Sequence, residues 1–197
     1  MLILVRHGES VLNKEGRLVG RLNPQLTPRG ELQAAAAGTL LGEVGELRCS
    51  PLERTRRTAE LLETGRPVVI EERCIELDYG ELDGTPLVDV DPSLWERWLN
   101  DASFVPPGGE SLEALGQRMA GLVEELFSTP GELARDRDAD AVVVSHVSPI
   151  KAAVAWALGV DPLIAWRMQL ATGSVTRIDL GRQGPQLVGF NQVAALG

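Results

Sequence analysis

The chain contains two histidines, and each one directly follows a run of apolar residues. His7 follows residues 2–6, and His146 follows residues 141–145. Short β-branched runs of this kind predict buried strands, and ligand sites in open α/β sheets lie beyond the carboxyl ends of the strands. If the two strands are neighbours, both imidazoles face one crevice next to Arg6. Because imidazole can act as a nucleophile or as an acid and base, this pair is the main indication of function.

A cluster of arginines indicates a site for an anion. Arg54, Arg56 and Arg57 lie in the first two turns of a predicted helix, where the helix macrodipole disfavours cations. The cluster becomes favourable if an anion binds there, because helix N-termini and guanidinium groups both hold phosphate. The alternative is a solvated basic face that nearby glutamates offset. This alternative suits Arg56 and Arg57 better than Arg54, so Arg54 is the candidate anion ligand.

Strand and helix signals alternate along the chain, which predicts an α/β fold with a mostly parallel central sheet flanked by helices. The predicted strands cover residues 2–6, 47–49, 67–70, 141–145, 175–180 and 186–190. The predicted helices cover residues 28–41, 50–63, 93–99, 111–127, 148–158 and 161–170. No repeat or linker is visible, so residues 1–197 are expected to form a single domain.

Capping patterns and loops complete the predicted secondary structure. The S-x-x-E pattern that starts at Ser50 predicts a capping box. Ser148 precedes a proline and is predicted to be a plain N-cap rather than a phosphate ligand. A charged loop is expected over residues 135–140, and an irregular segment over residues 74–110.

The composition argues against several classes of protein. A net charge of −9 and a pI near 4.8 disfavour nucleic acid as the main partner. A hydrophobic content of 44% with a mean hydropathy of −0.01 predicts a soluble globular protein, and no apolar run approaches membrane-spanning length. Because the first predicted strand begins at Leu2, there is no room for a signal peptide, and we expect a cytoplasmic protein without a membrane partner.

Neither a disulfide framework nor a metal site is expected. Cys49 and Cys74 are the only cysteines, and neither belongs to a CxxC pattern. The chain has no HxxxH pattern and no clustered carboxylates of the kind that binds zinc. The residues therefore indicate no metal and no cofactor.

Five segments, taken in chain order, resemble the signatures of the histidine phosphatase superfamily, which has the phosphoglycerate-mutase-like fold. They are Arg6-His7-Gly8-Glu9-Ser10 with Asn13, Ser50-Pro51-Leu52-Glu53-Arg54-Thr55 with Thr58-Ala59, residues 76–84, Pro107-Gly108-Gly109-Glu110-Ser111, and Val144-Ser145-His146. One such segment alone would be weak, whereas five in order are specific. The resemblance covers nearly the whole chain and implies a three-layer sandwich around the predicted sheet.

The resemblance also implies roles for the residues of the phosphate site. His7 is the implied nucleophile, and the phosphohistidine that it forms is labile enough for water to attack. Arg6, Arg54 and His146 would neutralise the phosphoryl oxygens, and Asn13 would add a neutral donor. An adjacent anion favours charged imidazole, so His146 is expected to be protonated in the phosphate-bound form, whereas His7 must be neutral to attack.

Glu76 is the implied proton donor to the leaving alkoxide. An ordinary glutamate has a pKa of about 4.3 and is ionised at neutral pH. The arriving phosphate or burial must therefore raise the pKa of Glu76. The alternative is a surface carboxylate in an acidic stretch, and only the resemblance singles this residue out. No metal is implied, since the arginines would do the work that Mg²⁺ does elsewhere.

At one position the chain departs from the commoner family pattern, in which glycine follows the second histidine. Val147 stands there and leaves less room for backbone to approach a phosphate, although its amide is still a candidate substrate contact. The form His146-Val147-Ser148-Pro149-Ile150-Lys151 is similar to one phosphatase-like branch of the superfamily. This similarity favours hydrolysis over isomerisation.

Residues 82–107 are expected to lie over the pocket as an apolar lid. They contain Leu87, Val88, Val90, Trp95, Trp98 and Phe104. The alternative is core packing, which the spacing of Trp95 and Trp98 favours, because residues three apart share a helix face. An apolar lid would suit a broad range of phosphomonoesters better than a small, highly anionic bisphosphate.

The sequence favours a metal-independent, histidine acid-type phosphatase, a phosphoric monoester hydrolase that cleaves a small organic phosphate through a phosphohistidine. The first alternative is a cofactor-dependent phosphoglycerate mutase, but such mutases carry basic insertions that this chain lacks. The second is an inactive phospholigand-binding protein, which is disfavoured because the nucleophile and the arginines are retained. The identity of the ester and the oligomeric state stay open, with a homodimer as one option.

Overall fold

A computed structural model of the chain describes residues 1–128 and 139–196. In this part of the chain, six strands form one sheet in the order β3-β2-β4-β1-β5-β6. The strands are β1 (Leu2–Arg6), β2 (Val44–Cys49), β3 (Val68–Ile70), β4 (Asp140–Ser145), β5 (Val175–Gly181) and β6 (Gly184–Gln192). The pairs between β1, β2, β3 and β4 are parallel, and β5 and β6 are antiparallel additions. The predicted mostly parallel sheet is confirmed.

Helices cover both faces of the sheet. They are α1 (Val11–Lys14), α2 (Pro28–Gly38), α3 (Glu53–Leu61), α4 (Pro92–Asn100), α5 (Leu112–Ser128) and α6 (Val147–Leu158). Successive residues of a strand point to opposite faces; accordingly, Leu2 and Leu4 pack with α5 and α6, whereas Ile3 and Val5 pack with α2 and α3. The three-layer arrangement follows from this alternation. Within the described ranges, no helix is long and apolar enough to cross a membrane.

The register of the central strands brings the two histidine positions to one edge of the sheet. β1 pairs in parallel with β4, and Arg6 lies opposite Ser145. The backbone N–H of His7 donates to the carbonyl oxygen of Ser145 at 3.0 Å. His7 and His146 therefore leave the carboxyl ends of neighbouring strands, as the sequence predicts.

Two predicted helix caps are wrong. α3 begins after Leu52, which makes no side-chain capping bond, because the Ser50 hydroxyl instead lies 2.7 Å from Nε2 of His146. Ser148 lies inside the first turn of α6, since the chain passes directly from β4 into that helix through His146 as N-cap. At the start of α2, Thr27 is the N-cap, and its hydroxyl accepts from the backbone N–H of Gly30 at 3.0 Å.

Three other segments differ from the predicted secondary structure or extend beyond the described residues. α1 lies just after β1, where the sequence predicts no helix, and Asn13 completes a capping box with Ser10. The helix expected over residues 161–170 is a 3₁₀ helix over Pro162–Arg167. Of the charged loop expected over residues 135–140, residues 135–138 lie outside the described ranges, and Asp140 begins β4.

The segment 82–107 divides between core and pocket. Trp98 is fully buried, and its ring contacts the rings of Tyr79, Trp95, Phe104 and Trp166. Core packing is therefore the correct interpretation for Trp98. Trp95 is only half-buried, so part of its ring stays accessible to solvent. Val90 and Phe104 are also buried, and the expectation of a lid does not apply to them. Val88 is 91% exposed and belongs to neither the core nor the cavity lining.

Candidate active site

The two imidazoles lie together at the carboxyl edge of the sheet. Their ring centroids are 5.1 Å apart, with an angle of 64° between the planes. His7 is 2% exposed and His146 is fully buried. The end of β1 positions His7, and the junction between β4 and α6 positions His146. The structure thus brings the chain's two histidines into one cluster.

Arg54 joins the two rings. Its Nε–H lies 3.3 Å from Nε2 of His7 and 3.2 Å from Nδ1 of His146. Its other nitrogens donate to the carbonyl oxygens of Leu22 at 2.7 Å and Gly20 at 2.8 Å. Burial lowers the pKa of Arg54 to about 10, so the guanidinium stays charged at neutral pH. Arg56 is exposed and Arg57 pairs with surface glutamates, which agrees with the solvated-face interpretation of those two.

The hydrogen bonds of His7 define which nitrogen is free to react. Nδ1 lies 2.7 Å from the carbonyl oxygen of Gly8, and a carbonyl can only accept, so Nδ1 carries the proton. Nε2 therefore keeps its lone pair and accepts from Arg54. Burial, followed by the charges of Arg54 and Arg6, holds the pKa of His7 well below its usual value. The ring is neutral and presents Nε2 as the basic nitrogen.

His146 has the opposite tautomer. Its Nδ1 accepts from Arg54, so Nε2 carries the proton and donates to the Ser50 hydroxyl at 2.7 Å. Burial, followed by the charge of Arg54, holds the pKa of His146 well below its usual value. The ring is neutral with these partners. The expectation of a protonated His146 concerns the phosphate-bound form and stays a prediction.

Arg6 lies beside His7 with part of its donor capacity unused. Its Nη1 donates to the carbonyl oxygen of Leu170. Its buried Nε meets no acceptor among the described residues. An unsatisfied buried donor is costly, and this arrangement is typical of a group that binds an oxyanion.

Glu76 is buried rather than on the surface, which rules out the surface-carboxylate alternative. It is 2% exposed, and its Oε1 accepts from the backbone N–H of Leu77 at 2.8 Å and of Ser148 at 3.2 Å. Burial raises the pKa of Glu76 above its usual 4.5, although these bonds and the charge of Arg54 act in the other direction. The carboxyl can therefore hold a proton at a pH where an exposed glutamate has lost it.

An ion pair supports the loop that carries Glu76, and sequence reasoning missed its cationic member. Arg118 on α5 donates to both carboxylate oxygens of Glu110, at 2.7 and 2.9 Å. It also donates to the backbone carbonyl of Glu76 at 3.1 Å. Glu110 belongs to one of the family-like segments, but nothing in the sequence pairs it with Arg118.

Several of these groups line one cavity of about 670 Å³. Its lining includes Arg6, His7, Asn13, Glu76 and Val147, whereas Arg54 and His146 are fully buried and are not part of the lining. The Oδ1 of Asn13 accepts from the backbone and hydroxyl of Ser10, at 3.2 and 2.9 Å, so its amide nitrogen is the group left to donate. Within the described ranges, no three His, Cys, Asp or Glu side chains come together as a metal ion would require.

The outer part of the cavity is amphipathic. Leu87 and Trp95 of the segment 82–107 line it, together with Trp166. The rings of Trp95 and Trp166 are in edge-to-face contact with centroids 5.9 Å apart. Lys151 and Arg29 supply cationic side chains to the same lining. The cavity therefore extends well beyond what a phosphate alone would fill.

Sequence comparison finds relatives with several activities. Phosphoserine phosphatase 1 of Hydrogenobacter thermophilus is 34% identical over 204 residues, covering 100% of this chain and 94% of the relative. A probable phosphoglycerate mutase GpmB of Erwinia tasmaniensis is 32% identical, covering 93% and 86%. The bifunctional protein Rv2228c of Mycobacterium tuberculosis is 32% identical over 95% of this chain, but the match spans only 52% of that relative. The chain thus spans about half the length of that protein.

Solved structures and a family model agree with the sequence comparison. The mycobacterial glucosyl-3-phosphoglycerate phosphatase Rv2419c, in complex with VO3, superposes with a TM-score of 0.86 at 30% identity, covering 96% of this chain and 98% of that one. The alpha-ribazole phosphatase from Shigella flexneri has a TM-score of 0.81 at 28% identity, covering 97% and 96%. The family model of the histidine phosphatase superfamily (branch 1) matches residues 2–193. Because this family model matches nearly the whole chain, the chain belongs to the histidine phosphatase superfamily.

Proposed function

We propose that this chain is a histidine acid-type phosphatase, a metal-independent phosphoric monoester hydrolase that acts on a small organic phosphate through a phosphohistidine. The observation that carries the proposal is the state of His7, which lines the cavity with Arg6 and keeps an unprotonated Nε2 at 3.3 Å from Nε of Arg54. Relatives named as phosphatases support hydrolysis. The chain would act as one domain over residues 1–197, with a small-molecule ester as partner and a cytoplasmic location.

The first chemical step transfers the phosphoryl group to the protein. Nε2 of His7 attacks phosphorus, so that a P–N bond forms while the bond from phosphorus to the ester oxygen breaks. Arg6 and Arg54 neutralise the phosphoryl oxygens in the transition state. Glu76 gives its proton to the departing alkoxide. The neutral carboxyl that burial favours is the form that this step requires.

The second step hydrolyses the phosphohistidine. The Glu76 carboxylate takes a proton from a water molecule as the water oxygen attacks phosphorus. The P–N bond breaks, inorganic phosphate leaves, and His7 returns to its neutral state. One carboxyl group thus serves as acid in the first step and as base in the second.

Phosphate release in the presence of EDTA tests this proposal. Purified protein is expected to release phosphate from p-nitrophenyl phosphate at a rate that EDTA does not change.

Isomerisation is the second candidate function, because the chain is 32% identical to a probable phosphoglycerate mutase. A mutase would instead interconvert phosphoglycerates only with a bisphosphoglycerate primer and release little free phosphate. Phosphate binding without turnover of any ester would indicate an inactive relative and contradict the proposal.

Replacing Glu76 with Gln is expected to affect esters according to their leaving groups. Hydrolysis of an alkyl phosphate should fall by about 10²–10⁴-fold, because the alkoxide needs a proton. Cleavage of p-nitrophenyl phosphate should change much less in the first step, since nitrophenolate is a good leaving group. The measurement is kcat/KM for both esters. An equal loss for both would contradict the role of Glu76 as proton donor.

The pH dependence of kcat/KM is a second test of the role of Glu76 as proton donor. Its raised pKa means that the active, protonated form is lost as the pH rises through a value above 4.5. For an alkyl phosphate, kcat/KM should therefore fall on the alkaline side, and Glu76→Gln should remove that fall. Because the pKa of His7 is held well below 6.5, its nucleophilic form should persist at pH 6. The p-nitrophenyl ester, whose leaving group needs no proton, is the control.

A further inference from the structure

Lys151 lines the cavity and has no role in the phosphate chemistry proposed above. It lies one helical turn after Val147 on α6, about 6 Å further along the helix axis. Residues four apart share a helix face, and helical side chains lean towards the N-terminus. Both residues line the cavity, as this geometry requires. Lys151 therefore shares with Val147 the face of α6 that borders the cavity.

Lys151 takes part in none of the ion pairs among the described residues. The side chain is half-buried, and burial followed by the charge of Arg6 lowers the pKa of Lys151, although the charge of Glu76 acts in the other direction. A partly buried cation beside another cation is unfavourable unless an anion joins them.

Two acidic side chains, Glu9 and Glu76, line the cavity, and neither forms an ion pair with Lys151. The Glu9 carboxylate accepts a hydrogen bond from the Thr27 hydroxyl at 2.8 Å. Burial of Glu76 raises its pKa and favours the neutral form.

Of the other cationic side chains in the lining, Arg17 pairs with Glu15 and Arg29 is exposed. Lys151, by contrast, is half-buried without an ion pair among the described residues. The position of Lys151 therefore points to a second acidic group, contributed by the ligand.

We propose that Lys151 is a specificity-determining residue that binds a carboxylate on the alcohol part of the substrate. This inference rests on the proposed function and narrows its substrate class to phosphate esters of hydroxy acids. The apolar wall formed by Trp95 and Trp166 lies along the same cavity and can pack against the carbon skeleton between the two anionic groups. A substrate without an acidic group does not make this contact with Lys151.

A pair of matched esters tests the proposal. 3-Phosphoglycerate and glycerol 3-phosphate have the same carbon skeleton and the same phosphate ester. The first carries a carboxylate where the second carries a hydroxymethyl group. The variants are Lys151→Met, which removes the charge, and Lys151→Arg, which keeps it. Lys14→Met is the control, because Lys14 is the chain's other lysine and is exposed on α1. The measurement is the ratio of kcat/KM for the acid to kcat/KM for the alcohol.

We expect Lys151→Met to lower this ratio by about 10–100-fold, mainly through KM, because one charge-assisted hydrogen bond is lost. Lys151→Arg should retain most of the ratio, and Lys14→Met should leave it unchanged. An unchanged ratio in Lys151→Met would overturn the proposal. An equal loss for both esters and for p-nitrophenyl phosphate would also overturn it, since Lys151 would then act on the phosphate itself.

Failure of the proposed function is distinguishable from failure of this inference. If the wild-type protein hydrolyses no ester, p-nitrophenyl phosphate included, the proposed function fails. The inference is then tested by calorimetric binding of the same two ligands to the wild type and Lys151→Met. A preference for the acid that disappears in the variant supports the inference, and equal affinities in the wild type refute it.

Discussion

Replacing His7 with Ala is expected to abolish phosphate release, with kcat/KM for p-nitrophenyl phosphate falling by at least about 10⁴-fold. The reason is that Nε2 of His7 is the atom that would bond to phosphorus, and its tautomer is set by the carbonyl of Gly8. His146 cannot replace it, because His7 lines the cavity whereas His146 is fully buried and is not part of the lining. The measurement is steady-state phosphate release.

The loss in His7→Ala must be separated from a loss of folding or of phosphate binding. The His7 side chain bonds to Gly8 and Arg54, and Arg54 keeps its bond to His146 in the variant. Inorganic phosphate should therefore still bind, and the circular dichroism spectrum should match that of the wild type. Turnover within tenfold of the wild type would show that another group is the nucleophile.

Replacing Arg54 with Met is expected to lower kcat/KM by about 10²–10³-fold, the cost of removing one strong donor to a developing oxyanion. The guanidinium also holds the unprotonated nitrogens of both imidazoles at hydrogen-bonding distance, so its loss affects the tautomers as well as the charge. Arg54→Lys should recover part of the rate, since it keeps the charge but loses the fork of donors. The readout is kcat/KM for p-nitrophenyl phosphate.

Arg56→Met is the matched control for Arg54→Met. Arg56 lies two residues further along α3 and is exposed, so its loss should leave the rate unchanged. Arg54→Met also strips the carbonyl oxygens of Leu22 and Gly20 of their donor. Its melting temperature should therefore fall, and the rates must be compared well below that transition. Similar small losses in both methionine variants would contradict a phosphate-binding role for Arg54.

The sequence predicted the fold because its strongest signals are local. Period-2 alternation in β1 assigns Leu2 and Leu4 to one core and Ile3 and Val5 to the other. Parallel strands that alternate with helices then leave few arrangements for the sheet. The short α1 was not predicted, since it is not long enough to carry a periodic pattern. The helix predicted over residues 161–170 exists as a shorter 3₁₀ helix over Pro162–Arg167.

The wrong helix caps show where local reasoning ends. Ser50 has a valid capping pattern, but its hydroxyl bonds to His146, which lies far away in the chain and close in the fold. Ser148 precedes a proline, but β4 runs directly into α6, so the cap falls on His146 instead. In both cases a contact or a junction that only the sheet register creates decides the outcome.

The candidate site, like the helix caps, could be predicted only in part from the sequence. Residue types and the family resemblance single out His7, Arg54 and Glu76, but the burial of Glu76 that raises its pKa is a property of the packed molecule. The hydrogen bond from Arg118 to the Glu76 backbone, and the place of Lys151 in the cavity lining, depend on which helix faces the loop and the cavity. No spacing within the sequence contains that information.

The phosphohistidine is the central claim, and trapping it is the most direct test. Protein mixed with p-nitrophenyl phosphate, quenched within milliseconds in alkali and digested, would be analysed by mass spectrometry. We predict one added phosphoryl group on the peptide that contains residue 7, stable to alkali, labile to acid and absent from His7→Ala. Rapid turnover with no such adduct, or with the phosphoryl group on another residue, would contradict the account.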